Sequence, residues 1–166
     1  MLLEAVSAII KLGLPILGLS WLLLSRLYAR GILQLTDDAQ DTDAQLKALK
    51  KDKNAVPYQG FVHSRWMKFG GGFYGLAALW TFVIIEIEQA VEFFADFPGF
   101  AGLFDQGVVN LLVQIFVNQI KNFVAAMVWF LYWGAGGASI GLWILIAYAS
   151  FQGGNALAKL TGKTIR

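Results

Sequence analysis

The sequence predicts an all-α integral membrane protein from three observations: its composition, the length of its apolar runs and its charge distribution. Hydrophobic residues make up 57% of the 166 residues, and charged residues make up only 14%. A soluble domain usually carries about 25% charged residues, so this chain lacks the polar cover of a water-facing surface. Its apolar runs reach the roughly 20 residues that a transmembrane helix needs. We therefore predict one membrane domain over residues 1–166.

The first predicted transmembrane helix covers about residues 3–25 and is followed by Arg26 and Arg30. Its start carries Glu4 and no basic side chain, and no small-residue cleavage motif follows the apolar run. The segment is therefore not typical of a signal peptide, and we predict a retained helix. Pro15 has no backbone N–H to donate, so we expect it to kink this helix.

A cytoplasmic loop is predicted over residues 26–68, with a short solvated helix inside it. Residues 36–53 place acidic side chains first and lysines last, which matches the dipole of a helix. Thr42 and Gln45 have the spacing of a capping box, which would start the helix at Thr42. This helix is interpreted as a connector between spans, with docking of a cytoplasmic partner as the alternative.

The second predicted span runs over about residues 69–91, and the third runs over about residues 123–150. The third has 28 residues, more than a straight span needs, so we expect it to tilt, bend or break near residues 134–137. An outer segment at 92–122 joins these two spans.

Residues 107–122 within the outer segment predict a helix of their own. Apolar residues recur there at helical spacing, but six polar residues fall within residues 110–122. This pattern is typical of an amphipathic helix that lies at the membrane interface. A four-span alternative instead makes residues 107–133 the third span and residues 138–152 a short fourth span.

The distribution of basic residues predicts the orientation. The 26–68 loop holds eight Lys and Arg residues and the tail at 151–166 holds three, whereas the 92–122 segment holds one. Because basic loops remain cytoplasmic, the sequence predicts an outer N-terminus and a cytoplasmic C-terminus. The bacterial inner membrane is the predicted location.

Small residues at helical spacing predict close helix contact, either within the chain or with another subunit. Gly71 and Gly75 form a GxxxG pair on the same face as Glu86, and a similar pair follows in the third span. Small residues allow helices to approach closely in lipid. The predicted helix-packing residues are Gly71, Gly75, Ala78, Gly134, Gly137, Ala138 and Gly141.

Few ionisable residues are predicted inside the membrane. Glu86 lies 18 residues after Lys68, about 27 Å along a helix, so it is predicted near the outer boundary of the hydrocarbon. Lys11 reaches a similar depth in the first span, and a Lys11–Glu86 ion pair is a candidate contact. A second candidate is an outer acidic cluster that could hold a divalent ion, formed by Glu88, Glu92, Asp96 and Asp105.

The sequence contains no recognisable catalytic, cofactor, metal or nucleic-acid motif. The absence of cysteine excludes disulfides and zinc–thiolate sites. Trp129, Tyr132 and Trp133 are interpreted as packing residues, although they could contact a lipid, quinone or pigment.

The leading functional hypothesis is a small non-catalytic membrane subunit that contacts lipids and other membrane-protein subunits. One alternative is an oligomeric ion or solute translocator that uses Glu86, Lys11 and the Gly134–Gly137 break. The other alternative is a lipid-acting enzyme with the outer acidic cluster as its site.

Overall fold

The computed structural model describes residues 2–34, 39–51, 65, 66, 69–95, 108–134 and 139–164, which are helical or in turns and contain no strand. The helices are α1 (Leu2–Ala8), α2 (Leu14–Ala29), α3 (Ala39–Lys51), α4 (Gly72–Ala95), α5 (Val108–Met127), α6 (Trp129–Gly134) and α7 (Ile140–Thr164). A π-helical turn, Ile9–Gly13, joins α1 to α2. Two of the described helical stretches, Leu2–Ala29 and Ile140–Gly162, are long and apolar enough to cross a membrane.

The π-helical turn lies directly before Pro15, where the sequence predicts a kink. Pro15 cannot donate to the carbonyl of Lys11, four residues earlier, as a helical residue normally would. The indole Nε1–H of Trp80 on α4 donates to that carbonyl instead, at 2.9 Å. The proline therefore leaves an acceptor in the first helix that fastens α4 to it.

The N-terminal helix and α7 form a parallel pair. Glu4 contacts Ser139 at one end of the pair, and Trp21 donates to Thr161 near the other end. Between these ends, Gly154 of α7 packs against α2, where an added Cβ would lie 1.9 Å from the Ser20 Oγ. The start of α1 and the start of α7 therefore lie at the same end of the molecule.

Glu4 caps the start of α7. Its carboxylate accepts a 2.6 Å hydrogen bond from the backbone N–H of Ser139, the residue before α7 begins. A helix leaves its first N–H groups without internal partners, and its dipole favours a negative charge there. The predicted outer end of the N-terminal helix thus holds the start of α7.

We expect Glu4→Gln to lower the free energy of unfolding by about 1 kcal/mol, because a charge-assisted cap becomes a neutral one. Reversible unfolding in mixed detergent micelles measures this loss. Glu92→Gln is the matched control, since Glu92 is exposed near the end of α4. Equal stability of the two variants would contradict the cap.

Helix α3 lies across the opposite end of the parallel pair. The helix already includes Ala39, so Thr42 lies inside it and the predicted capping box is wrong. Thr42 is instead buried against α2 and α7. The Gln45 amide bonds both the N–H and the carbonyl of Gln34, at 2.7 and 3.3 Å. Polar contacts thus attach this helix to the bundle, in addition to the buried Leu46.

Helix α4 begins at a turn of glycines and runs antiparallel to the N-terminal helix. Gly70, Gly71 and Gly72 have φ values of 109°, 70° and 59°, which residues other than glycine rarely adopt. The turn folds the preceding chain back, so that a Cβ on Gly75 would lie 3.0 Å from the Phe69 carbonyl oxygen.

Helix α5 runs antiparallel to α4, towards the start of α4, and α6 then runs back in the direction of α4. Tyr74, near the start of α4, donates to the Met127 carbonyl at the end of α5. The helix is interrupted at Val128, and Trp133 of α6 then donates to Thr81, farther along α4, at 2.8 Å. The chain therefore reverses its direction along α4 at Val128.

This division corrects the prediction of one helix over residues 123–150. The structure splits that stretch among α5, α6 and α7, and α7 continues to Thr164. Helix α6 ends at Gly134 and Ser139 is non-helical, and the rest of the predicted break at 134–137 lies outside the described residues. The helix boundaries are closer to those of the four-span alternative, with 107–133 and 138–152 as separate helices.

Candidate functional site

Glu86 of α4 lies in a cluster of amide side chains contributed by α4 and α5. Gln119 donates to one carboxylate oxygen and Asn122 donates to the other, each at 2.7 Å. Asn122 also exchanges two 2.8 Å hydrogen bonds with Gln89. Asn122 is only 3% exposed. The cluster places polar groups on the face where α5 meets α4, and each of these groups has a partner.

These contacts replace the predicted Lys11–Glu86 pair. Both Glu86 oxygens bond to α5, and among the described residues no ion pair joins Glu86 to Lys11. The Lys11 side chain is exposed, although its backbone does contact α4 through Trp80. The described contact between the two helices at Lys11 is the hydrogen bond from the Trp80 indole to the Lys11 carbonyl.

We expect Asn122→Leu to destabilise the protein by about 2–4 kcal/mol, because it leaves partly buried acceptors on Glu86 and Gln89 without their donor. Asn118→Leu is the matched control, since Asn118 is exposed on the same helix. Unfolding in mixed micelles compares the two variants. A loss in Asn122→Leu no larger than that of the control would show that the cluster adds little stability.

The predicted outer acidic cluster is only partly described. Glu88 accepts a 2.7 Å hydrogen bond from the Tyr132 hydroxyl, and Glu92 is exposed. Asp96 and Asp105 lie outside the described residues. Within the described ranges, His, Cys, Asp and Glu form no group of three that could hold a metal ion.

Gly71 and Gly75, two of the predicted packing glycines, serve the turn before α4. Gly71 belongs to the turn before α4, and Gly75 packs on the backbone of Phe69. A Cβ on Gly134 would lie 2.7 Å from the Ile140 side chain at the start of α7. The remaining predicted members are Ala78, which is buried, Gly141, which is exposed, and Gly137 and Ala138, which lie outside the described residues.

The glycines that do join helices were missed by the sequence analysis. On Gly13, an added Cβ would lie 3.0 Å from Ser150 Oγ, and on Gly154 it would lie 2.6 Å from the Leu17 carbonyl oxygen. Gly154 falls after the predicted end of the third span and therefore lies in the predicted tail. The adjacent pair Gly153–Gly154 is the sequence feature that could have indicated a close helix contact there.

A second polar cluster, also missed, joins α2, α3 and α7. The Tyr28 hydroxyl donates to Asn155 Oδ1 at 3.1 Å, and Asn155 Nδ2 donates to Thr42 Oγ1 at 3.3 Å. The Thr42 hydroxyl can then donate to the Tyr28 oxygen, 3.2 Å away. All three side chains are at least 98% buried. They form a closed ring of hydrogen bonds.

The three tryptophans Trp129, Trp133 and Trp143 lie where α6 meets α4 and α7. The Trp133 and Trp143 rings stack with centroids 5.3 Å apart. The indole N–H groups of Trp129 and Trp143 are buried and have no acceptor among the described residues. The predicted packing role of Trp129 and Trp133 agrees with these contacts.

No protein family, curated protein or solved structure matches this chain.

The polar side chains of the two described clusters bond one another. Glu86 is fully hydrogen-bonded, and the Tyr28–Thr42–Asn155 ring satisfies its own members. A catalytic nucleophile needs a neighbouring base to activate it. The contacts of the described residues place no such base beside Ser20 or Thr81, whose hydroxyls donate to helix carbonyls.

Proposed function

We propose that this protein is a small non-catalytic membrane subunit that packs against a larger membrane complex and stabilises or regulates it. The distribution of side chains on α5 carries this proposal. The face of α5 that meets α4 is polar, whereas its exposed positions are largely apolar. The exposed apolar residues are Val109, Leu112, Val113, Ile115, Phe116, Val117, Ile120, Phe123 and Val124.

This arrangement suits lipid and membrane-protein neighbours rather than water. Phe116 is 67% exposed and Val109 is 73% exposed. In water such exposure opposes folding, at about 25 cal/mol per Å² of apolar surface. In a bilayer the same side chains meet lipid tails or a neighbouring helix, and polar groups gather between helices. The proposed neighbours are lipids and other membrane-protein subunits; nucleic acid is not among them.

We propose that α2, α4 and α7 cross the bacterial inner membrane, with the N-terminus outside and the C-terminus in the cytoplasm. The parallel course of α2 and α7 supports this proposal, because it puts α3 and the basic tail on one side. Helices α5 and α6 then enter from the outer side and return to it, beside α4. This hairpin replaces the interfacial helix that the sequence predicts.

Photocrosslinking in native membranes tests the subunit proposal. A photoreactive residue replaces Phe116 on α5, and in a second variant it replaces Leu145, which is 63% exposed on α7. We expect the Phe116 position to form one adduct with a different membrane protein, which also copurifies in mild detergent. The Leu145 position is the matched control and is expected to link to lipid.

Two outcomes would contradict the subunit proposal. One is a monomer in mild detergent whose Phe116 position links only to lipid. The other is an adduct of twice the chain's mass, which indicates a homo-oligomer instead. Unchanged growth and intact assembly of the copurifying complex after deletion of this chain would remove the stabilising or regulatory role.

A further inference from the structure

The exposed surface of α5 carries a polar stripe at the edge of its apolar face. Gln114, Asn118 and Lys121 follow one another at i+4 and i+3 spacing, so they lie on one side of the helix. All three side chains are exposed. They form no hydrogen bond or ion pair with any described residue, in contrast to Gln119 and Asn122 on the inner face.

The depth of Lys121 makes its charge costly in lipid. Asn122, the next residue, bonds Glu86, which lies 14 residues beyond the start of α4 at Gly72. That distance is about 21 Å along α4, within a hydrocarbon layer of about 30 Å. A cationic side chain at such a depth normally pairs with an anionic group or reaches for the interface.

The described acidic side chains of α4 do not neutralise Lys121. Glu86 accepts from Gln119 and Asn122, and Glu88 accepts from Tyr132. Glu92 is exposed farther along α4 and forms no ion pair among the described residues. The charge on Lys121 is therefore unpaired within the described part of the chain.

We infer that this stripe docks a transmembrane helix of the partner subunit that carries a carboxylate beside Lys121. Side-chain amides one turn away, Asn118 and Gln114, would hydrogen-bond polar groups of the same helix, as polar residues do between membrane helices. Charge complementarity selects the partner: an acidic helix fits, and a purely apolar or basic helix does not. The inference rests on the proposed function, since it places α5 in the bilayer.

A synthetic helix tests this complementarity directly. Three fluorescent leucine-rich transmembrane peptides differ at one position, which holds Glu, Leu or Lys at the depth of Lys121. Energy transfer from the labelled full-length protein measures their association in lipid vesicles of neutral phosphatidylcholine. We expect the Glu peptide to associate about tenfold more tightly than the Leu peptide, which corresponds to one desolvated charge pair, and the Lys peptide to associate most weakly.

Variants of the protein distinguish binding at the stripe from non-specific association of the peptides. Lys121→Gln is expected to remove the preference for the Glu peptide, and Lys121→Glu to reverse it towards the Lys peptide. Lys11→Gln is the matched control, because Lys11 is an exposed lysine in another membrane helix, and it should leave the preference intact. Circular dichroism in the same vesicles checks that each variant stays folded.

Equal association of the three peptides would overturn the inference, as would a preference that survives Lys121→Gln or disappears in Lys11→Gln. The peptide assay does not depend on whether the chain has a natural partner. A native monomer in the photocrosslinking experiment would refute the proposed function and with it the natural partner, whereas loss of peptide selectivity would refute only the acidic-helix preference of the stripe.

Discussion

Replacement of Gly154 by alanine is expected to destabilise the protein by about 3 kcal/mol. The added Cβ would lie 1.9 Å from Ser20 Oγ and 2.6 Å from the Leu17 carbonyl oxygen. The Ser20 hydroxyl can rotate, but the Leu17 carbonyl belongs to the α2 backbone and cannot move alone. Helices α2 and α7 must separate, and overpacking of this kind costs about 1–3 kcal/mol or more. Equilibrium unfolding in mixed detergent micelles measures the loss.

Two other glycines provide matched controls on the same helix pair. An added Cβ on Gly153 would meet only the Leu17 Cδ1, at 3.6 Å, and one on Gly18 would meet nothing within 4 Å. Both alanine variants should therefore be neutral or slightly stabilising, because alanine favours a helix by about 1 kcal/mol over glycine. If Gly154→Ala matches Gly153→Ala, the parallel contact between α2 and α7 is not the one described here.

A double variant separates the two clashes. Ser20→Ala removes the nearest atom but leaves the Leu17 carbonyl and the Cβ of residue 20, which would lie 3.0 Å from the new methyl group. We expect Ser20→Ala to recover only part of the stability that Gly154→Ala loses. Full recovery would assign the effect to the serine hydroxyl alone.

The sequence predicts the helical, membrane-type character of the chain because that character depends on local composition. The first apolar run becomes Leu2–Ala29 and the second becomes Gly72–Ala95, each within a few residues of its predicted bounds. The basic residues also predict that the 26–68 loop and the C-terminus share a side, and the parallel course of α2 and α7 agrees with this. Apolar length and loop charge are properties of single segments.

Contacts between segments could not be predicted in the same way. The GxxxG pair Gly71–Gly75 marks a turn against Phe69, whereas Gly154 joins two helices. The presence of glycine does not distinguish these two roles, because a missing side chain permits either a tight turn or a close helix contact. The predicted Lys11–Glu86 pair rests on the similar depth of the two residues, and depth does not show which helix lies beside Glu86.

Helix α5 shows what periodicity leaves open. Its polar residues fall on one broad face, along which Gln119 and Asn122 bond α4, whereas Gln114, Asn118 and Lys121 are exposed. The spacing alone predicts a helix at the water interface. The structure shows that part of this face bonds Glu86. An internal polar contact and a solvated surface give the same sequence pattern.

Removal of the Thr42 hydroxyl is expected to release α3 from the bundle. Thr42→Val keeps the side-chain shape but leaves Asn155 Nδ2 without its acceptor and removes the bond to Tyr28. An unsatisfied buried polar group costs about 1–3 kcal/mol, and a closed ring loses cooperative strength as well. Because α3 is otherwise attached mainly by the Gln45–Gln34 contacts and Leu46, this loss favours local opening over global unfolding.

Limited trypsin digestion measures that opening, because α3 contains Lys47. A loss of about 2 kcal/mol raises the open population roughly 30-fold, and cleavage after Lys47 should accelerate by a similar factor when opening is fast. Thr42→Ser is the matched control: it keeps the hydroxyl and should cleave at nearly the rate of the unmodified protein. Equal acceleration in both variants would assign the attachment to the methyl group of Thr42. Acceleration in Thr42→Val alone, shared by Asn155→Leu, would identify the hydrogen-bonded ring as the contact that holds α3 to α2 and α7.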